Sequence, residues 1–375
     1  MPHLPTRPGL GPCALIVLLT TVTPVSGQGP APPAAPPGGQ GAAPSVPDDR
    51  PSLKVGATLF LDYGFVQKPE GTDAAGQTIH PNAFNVQRAY VNLTGQVHHL
   101  LAFRLTPDIR SETGSGSSLS GSYSYQLKYA FAQLNLGDWL PRETWVRLGI
   151  QQTPYVESNE QVYRYRFQGP IFPDREGFLS SSDAGLSFRT PLPADRGDVH
   201  VGIYNGEGYR RFEPNDRKAF MVRGTWRPLP GTATWQGLRL TGFYDGDAYM
   251  RGATRRRVVG DVSFSHSRVH AGVILLHATD EPLPGDRPVD ARGYSLWLVP
   301  RSRIGVEGLL RYDRLNPDRT AGSRKGRLIA GLAYWLPVQG ASAAFMLDVE
   351  RVTYHDFTPV RPDEQRLALR CLVSF

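Results

Sequence analysis

The end of the chain, residues 365–375, alternates between apolar side chains and polar or small ones. The apolar positions are Leu367, Leu369, Cys371, Val373 and Phe375. The positions between them are Arg366, Ala368, Arg370, Leu372 and Ser374. This period of two predicts a β-strand whose two faces meet different surroundings. The apolar face enters a core in a soluble sandwich, whereas in a membrane barrel it faces lipid while Arg366 and Arg370 point into water.

Segments with the same period recur from Leu53 to the C-terminus and are separated by turn-forming residues, which predicts about sixteen strands. They lie near residues 53–66, 85–97, 99–107, 125–136, 143–152, 180–190, 198–205, 218–228, 236–246, 256–265, 268–278, 291–299, 303–314, 326–336, 342–354 and 365–375. The 40 glycines and 33 prolines fit a chain with many turns. Beyond the N-terminal residues there is no apolar run of about 18 residues, which excludes a helical membrane protein.

The connections between these segments alternate in length. Long connections, such as residues 67–84, 153–179 and 205–217, follow the odd-numbered strands, and short ones such as residues 266–267 follow the even-numbered strands. An up-and-down barrel with one looped rim and one trimmed rim produces this rhythm, whereas a sandwich with Greek-key connections does not. The sequence therefore predicts an all-β fold, a transmembrane antiparallel up-and-down β-barrel of about sixteen strands.

Charged side chains fall on the face opposite the apolar set. The inward basic residues in this register are Arg88, Arg104, Lys128, Arg147, Arg189, Arg223, Arg239, Arg311, Arg327, Arg366 and Arg370. The inward acidic residues are Asp62, Asp183, Asp245, Asp261, Glu307, Asp313, Asp348 and Glu350. Because a basic side chain on the lipid face costs about 2–4 kcal/mol at the bilayer midplane, a slip of one residue is disfavoured. We expect a wet lumen of mixed sign with a basic excess.

The N-terminal part of the chain has a different character. Residues 1–27 are predicted to be a secretory signal peptide, with Arg7 ahead of an apolar stretch and small residues at the cleavage site. Residues 28–52 are rich in proline, alanine and glycine and are predicted to be a disordered periplasmic linker. The barrel domain is predicted over residues 53–375. Cys371 is the only cysteine outside the signal peptide, so no intramolecular disulfide is expected.

Large aromatic residues cluster near the ends of the predicted strands. They are Trp139, Trp145, Tyr204, Tyr209, Trp226, Trp235, Trp297 and Trp335. In a membrane barrel, aromatic side chains form girdles at the two membrane interfaces. We therefore expect these residues to lie in such girdles.

Four short motifs between Asn85 and Gly208 resemble those of a known family. They are Val146-Arg147-Leu148-Gly149-Ile150-Gln151-Gln152-Thr153-Pro154-Tyr155, Phe172-Pro173-Asp174-Arg175-Glu176-Gly177, Ala184-Gly185-Leu186 and Gly202-Ile203-Tyr204-Asn205-Gly206-Glu207-Gly208. In this order and spacing they resemble the phosphate-selective porin O and P family of Gram-negative outer membranes. The resemblance implies a sixteen-stranded, trimeric porin whose third long loop folds into the lumen and narrows it.

The same resemblance implies that the third loop forms the pore constriction. The candidate constriction residues are Tyr163, Arg164, Tyr165, Arg166 and Arg175. Phosphate-selective members of the family line this constriction with lysines, but here the loop has no lysine and contains four acidic residues, Glu157, Glu160, Asp174 and Glu176. The arginines either attract anions or pair with the loop's own carboxylates. The basic excess of the lumen and the third loop together predict a porin with a mild preference for anions such as phosphate.

The chain ends on Phe375 directly after its last strand, which resembles the closing strand of bacterial outer-membrane barrels. This implies that Phe375 is an assembly signal read by the barrel assembly machinery. Other expected partners are outer-membrane lipid and lipopolysaccharide, small anionic or neutral solutes, and further copies of the chain in a homotrimer. Arg255-Arg256-Arg257 is expected at the looped rim, where it meets lipopolysaccharide or solvent, and no nucleic-acid partner is expected.

The functional prediction is an outer-membrane diffusion channel that makes and breaks no bond, so neither enzymatic activity nor a cofactor is expected. Sixteen strands leave an open aqueous lumen, whereas eight are filled by side chains. His98, His99, His266, His270 and His277 lack the spacing of helical metal ligands, and no metal site is expected. The alternatives are a structural, adhesive or enzymatic outer-membrane barrel, or a secreted soluble β-protein.

Overall fold

The computed structural model describes residues 49–111 and 121–375. Its first strands are β1 (Ser52–Lys68), β2 (Gly71–Thr72), β3 (Thr78–Ile79), β4 (Asn82–His98), β5 (Leu101–Ser111), β6 (Tyr123–Asn135), β7 (Trp145–Gln152), β8 (Ser182–Pro191) and β9 (Gly197–Tyr204). The others are β10 (Ala219–Trp226), β11 (Leu238–Asp247), β12 (Thr254–His266), β13 (Val269–Glu281), β14 (Val289–Pro300), β15 (Val306–Asn316), β16 (Arg324–Leu336), β17 (Ser342–His355) and β18 (Glu364–Ser374). The predicted signal peptide and residues 28–48 of the predicted linker lie outside the described residues.

Sixteen of these strands form one closed antiparallel barrel, in which each strand pairs with its neighbours along the chain and β18 pairs with β1. The two remaining strands, β2 and β3, form a small hairpin in the first long connection. The closing pair aligns Leu61 with Cys371 and Asp62 with Arg370. The predicted fold class is therefore confirmed, and the last strand closes the barrel against the first.

Side chains alternate between the two faces of every barrel strand, as a period of two requires. In β16, for example, Leu328 and Leu332 are 45% and 67% exposed on the outer face, whereas Ile329 is fully buried on the inner face. An outward belt of exposed aliphatic side chains surrounds the barrel. Among the described residues, no helix is long and apolar enough to cross a membrane.

The two rims differ as the sequence predicts. One rim has short turns, such as residues 99–100 between β4 and β5 and residues 267–268 between β12 and β13. The other rim has longer connections, including residues 69–81, 153–181 and 205–218. The alternation of connection lengths has an exception, because residues 227–237 on the trimmed rim form a longer connection than residues 248–253 on the looped rim.

The longest described connection, residues 153–181, is named loop 3 and folds into the barrel. It contains α1 (Val156–Tyr163) and α2 (Phe172–Arg175). Its apolar side chains are almost fully buried against the inner faces of the strands; they are Tyr155, Val156, Val162, Tyr163, Tyr165, Phe167, Ile171 and Phe172. The hydrophobic core of this protein therefore lies inside the barrel, between loop 3 and the wall.

The expected aromatic girdles need a correction. Trp139, Trp226 and Trp235 are exposed, at 66%, 48% and 50%. Trp145, Tyr204, Tyr209, Trp297 and Trp335, in contrast, point into the barrel, where Trp297 contacts the ring of Tyr163 and Trp335 contacts the ring of Tyr165. Trp145, Tyr204, Trp297 and Trp335 occupy strand positions whose side chains point to the inner face, whereas Tyr209 lies in the connection 205–218 and donates a hydrogen bond to Asp108. The apolar loop 3 provides the surface that Trp297 and Trp335 cover.

Candidate functional site in the barrel lumen

All eleven basic residues predicted to face the lumen lie on the inner face of the barrel. Seven of them form an ion pair with a carboxylate from the wall. The pairs are Arg88 with Asp108, Arg189 and Arg223 with Asp198, Arg311 with Asp313, Arg327 with Glu350, Arg366 with Asp62 and Arg370 with Asp348. Most of the expected basic excess is therefore neutralised by carboxylates on the same strand or on an adjacent one.

Four luminal basic residues, Arg104, Lys128, Arg147 and Arg239, have no ion-pair partner among the described residues. Lys128 Nζ lies 4.8 Å from the centre of the Tyr90 ring. The Arg147 guanidinium lies 3.8 Å from the centre of the Trp145 ring. These four basic residues, which we call the unpaired basic group, lie on β5, β6, β7 and β11.

The remaining contacts of the unpaired basic group are polar or aromatic. Arg104 donates a hydrogen bond to Asn92 Oδ1 at 2.9 Å, and Arg147 donates one to Gln133 Oε1 at 2.7 Å. Cation–π and neutral hydrogen-bond contacts leave the net charge of a side chain in place. These four side chains therefore add positive potential to the lumen.

Loop 3 is held by acidic residues on the opposite part of the wall. Glu307 on β15 accepts hydrogen bonds from Arg164 Nη1 at 3.2 Å and from the Tyr165 hydroxyl at 2.9 Å. Glu350 on β17 accepts one from Arg175 Nη1 at 3.1 Å. Because both carboxylates and their partners are largely buried, these ion pairs fix the position of the loop more firmly than surface pairs do.

Other wall residues, among them Arg311 and Asp261, also bind loop 3. Arg311 donates to the backbone carbonyl of Pro170 at 2.8 Å and to the Tyr163 hydroxyl at 3.2 Å. Asp261 accepts hydrogen bonds from the Tyr155 hydroxyl, at 2.9 Å, and from Asn159. Among the predicted constriction residues, Tyr163, Arg164, Tyr165 and Arg175 thus contact the wall, and their side chains hold the loop there.

Arg166 is the predicted constriction residue that pairs within the loop itself. Its Nε lies 2.8 Å from Glu160 Oε1. Glu160 belongs to α1, outside the barrel strands, and burial raises the pKa of its carboxyl although the charges of Arg166 and Lys128 oppose this effect. This pair is therefore the part of loop 3 that faces Lys128 of the unpaired basic group.

Two luminal cavities adjoin loop 3, and both reach Thr153. The larger, of about 440 Å³, is lined by six basic residues, Arg88, Arg166, Arg175, Arg210, Arg211 and Arg255, and by four acidic residues, Asp174, Asp183, Glu207 and Asp245. The smaller, of about 330 Å³, is lined by five basic residues, Arg147, Arg189, Arg223, Arg227 and Arg239, and by three acidic residues, Glu157, Asp195 and Asp198. Each cavity therefore has two more basic than acidic side chains.

Several luminal residues are not identified by the sequence reasoning. Arg255 and Arg257 lie at the looped-rim end of β12, as expected, but they face the lumen and pair with Asp247 and Asp280, while Arg256 between them points outward and is exposed. Strict alternation along β12 could have shown this. Arg210 and Arg211 lie in residues 205–218, where no strand period exists, so no sequence signal assigns them to the larger cavity.

No family model matches this chain, and no curated protein matches it. Solved structures do. The anion-selective porin from Comamonas acidovorans shares 13% identity with a TM-score of 0.61, over 87% of this chain and 100% of that chain. The outer membrane channel DcaP of Acinetobacter baumannii shares 11% identity with a TM-score of 0.57, over 88% and 98%. In-vitro folded OmpT of Vibrio cholerae, in its trimer form, shares 10% identity with a TM-score of 0.55, over 86% and 100%.

These similarities span the whole barrel, and at such low identity they concern the fold. The neighbours include an anion-selective porin and an outer-membrane channel. The sixteen strands, the closed sheet and the inward loop 3 of this chain form one architecture. The chain therefore has the barrel fold of outer-membrane porin structures.

Proposed function

We propose that this protein is a diffusion channel of the Gram-negative outer membrane, a porin for small hydrophilic solutes with a mild preference for anions such as phosphate. The observation that supports this most is the unpaired basic group, Arg104, Lys128, Arg147 and Arg239, on the wall that faces loop 3. No carboxylate of the described residues lies within ion-pair distance of these four side chains, so they raise the local concentration of anions in the lumen. The proposal needs no bond to be made or broken.

The geometry favours a mild preference over tight binding. The constriction residues Arg164 and Arg175 are occupied by Glu307 and Glu350, and Arg166 is occupied by Glu160. A channel site that holds its ion too firmly conducts poorly, because conduction requires release as well as entry. We therefore propose that selectivity comes from the field of the unpaired basic group and not from a phosphate-binding constriction.

Reversal potentials in planar bilayers test the proposal. With a potassium chloride gradient across the membrane, the wild-type channel is expected to prefer chloride modestly. Changing Arg104, Lys128, Arg147 and Arg239 together to glutamine removes four positive charges and is expected to abolish or invert this preference. Arg256→Gln, a change on the outer face, is the control and should leave the reversal potential as it is. A cation-selective wild-type channel, or no conductance at all, contradicts the proposal.

The remaining partners belong to the same proposal. The exposed aliphatic belt is proposed to contact outer-membrane lipid and lipopolysaccharide, and the chain to assemble as a homotrimer, a form in which one structural neighbour is described. Semi-native electrophoresis tests the assembly. A heat-modifiable band at three times the monomer mass is expected, and a monomer under all mild detergent conditions contradicts the homotrimer.

A further inference from the structure

Two adjacent histidines and one aspartate converge at the trimmed rim. His98 is the last residue of β4, and His99 begins the short turn to β5. Side chains of successive strand residues normally point to opposite faces, but this turn brings the two imidazole rings to 4.3 Å between centroids. Asp49 lies just before β1, and its Oδ1 is 3.2 Å from Nε2 of His98 and in direct contact with Nδ1 of His99.

We propose that Asp49, His98 and His99 form a binding site for a divalent transition metal, with zinc as the best match. The three ligand atoms all lie within 4.8 Å of one another. Zinc binds nitrogen and oxygen ligands at about 2.0–2.2 Å, so the ligand atoms of a tetrahedral site are roughly 3.3 Å apart. The distance between Asp49 and His98 already matches this value. The closer contact between Asp49 and His99 lengthens when the metal replaces the proton between them.

The donor set selects the class of metal. Two imidazole nitrogens and one carboxylate suit zinc and similar transition metals, whereas calcium and magnesium prefer sites made of oxygen ligands only. Three protein ligands leave a fourth tetrahedral position for water. A cavity of about 250 Å³, lined in part by His99 and Asp138, adjoins the site and has room for it.

A fourth side chain orients one of the ligands. Asp138 Oδ2 lies 3.0 Å from Nε2 of His99. When Nε2–H donates a hydrogen bond to this carboxylate, the lone pair of Nδ1 is free to point at the metal, which is the arrangement that ligating histidines usually have. Asn135 Nδ2 donates to the backbone carbonyl of His99 at 2.7 Å and holds the turn in place.

Metal binding has a small local cost at His98. In the structure the backbone N–H of Leu100 donates to Nδ1 of His98 at 3.3 Å. Coordination through Nε2 requires the proton on Nδ1, so this bond is lost. It lies beyond the usual distance range for such hydrogen bonds, and its loss is a minor term beside a metal–ligand bond.

The site differs from the expectation drawn from the sequence, in which these histidines are not metal ligands. Helical spacing is the wrong criterion here, because the third ligand comes from a residue about fifty positions upstream. Pairing of β1 with β4, which aligns Ser52 with Gln96, brings Asp49 to the turn. A bound metal would tie the residues before β1 to the first turn of the trimmed rim.

Zinc titration of the full-length, detergent-refolded protein tests the site. Calorimetry is expected to show one zinc per chain and a raised melting temperature, and magnesium is expected to do neither. The double change His98→Ala and His99→Ala should weaken zinc binding at least about tenfold, and Asp138→Asn should weaken it roughly 10–100-fold. His266→Ala is the matched control, because His266 also ends a strand at a short turn and accepts a backbone N–H at 3.3 Å.

Three results overturn the proposal: no zinc binding by the wild type, undiminished binding by the double variant, or equal loss in His266→Ala. If the double variant does not refold, Asp49→Asn, which lies outside every strand, has to weaken zinc binding instead. The ion selectivity of the channel, measured as the reversal potential in planar bilayers, is expected to be the same with and without zinc. Failure of the metal site is thereby distinguished from failure of the proposed channel function.

Discussion

At the scale of single residues, pairing decides which luminal charges act on a solute. Asp198 on β9 accepts a hydrogen bond from Arg189 Nε at 2.7 Å and pairs with both terminal nitrogens of Arg223. One carboxylate thus offsets two guanidinium groups, both of which line the smaller cavity. The number of inward arginines in a strand pattern therefore overestimates the positive potential of the lumen.

This arrangement leads to a prediction for Asp198→Asn. The change leaves Arg189 and Arg223 without their carboxylate, so the anion preference measured by reversal potential is expected to increase. The folded barrel is expected to lose stability, because removing one partner of a buried ion pair costs about 3–5 kcal/mol in a dry interior and less in a wet lumen. Asp318→Asn, in an exposed connection on the looped rim, serves as the control. An unchanged reversal potential would show that Asp198 does not screen these arginines.

At the scale of elements, loop 3 behaves as a folded insert held by the wall. Its two short helices have buried apolar sides, and its polar groups are bound by Asp261, Glu307, Arg311 and Glu350. These contacts join residues more than 100 positions apart in the chain. The position of the loop in the lumen is therefore a property of the closed barrel.

Glu307→Gln tests how firmly the loop is held. The change weakens charge-assisted hydrogen bonds from Arg164, Tyr165 and Arg301, the last at 2.7 Å. A looser loop 3 is expected to give a larger and noisier single-channel current while the folded fraction stays high. Glu70→Gln, at an exposed position near the β2–β3 hairpin, is the control. A current trace identical to wild type would mean that Glu307 is not needed to position the loop.

The register of the last strand, β18, determines which of its side chains face the lumen and which face outward. Arg370 on β18 is 2% exposed and donates to Asp348 at 2.5 Å. Exchanging Arg370 and Cys371 moves this charge to the outer face, where it costs about 2–4 kcal/mol at the membrane midplane and leaves Asp348 unpaired. The refolding yield in lipid vesicles is expected to fall much further for the exchange than for Arg370→Gln. Equal yields for the two variants would contradict the assigned register.

At the scale of the whole molecule, the barrel is closed by contacts between its two ends. The backbone N–H of Phe375 donates to the Ala57 carbonyl at 3.0 Å, and the N–H of Ala57 donates back at 3.1 Å. The side chain of Phe375 is 68% exposed and adds little to the fold. Its backbone therefore helps to seal the barrel, while its ring is available to another molecule.

Because the ring of Phe375 is exposed, changing it tests assembly in cells separately from folding of the purified protein. Phe375→Ala preserves the backbone hydrogen bonds, so refolding in detergent and the melting temperature are expected to be close to wild type. If the ring is the signal for the barrel assembly machinery, the amount of protein in the outer membrane of cells is expected to drop several-fold. Val360→Ala, an exposed change on the looped rim, is the control. A large loss of refolding in vitro, or normal levels in cells, would contradict the proposed role.

The sequence by itself determines the strands and their faces. The predicted segment 342–354 matches β17 (Ser342–His355) almost to the residue. Every basic residue of the predicted set lies on the inner face. The reason is local: alternation is a property of the extended backbone, and a charge on the lipid face is penalised one strand at a time. The alternation of long and short connections further predicts that the strands follow one another in up-and-down order.

Only the tertiary structure decides which charges are paired, where loop 3 lies and where distant ligands meet. Arg164 meets Glu307 because loop 3 folds across the closed barrel, and Asp49 meets His98 and His99 because β1 pairs with β4. Such contacts depend on the register of many strands at once and leave no periodic signal in any one of them. For the same reason Trp297 and Trp335, expected at membrane interfaces, are found against loop 3 inside the barrel.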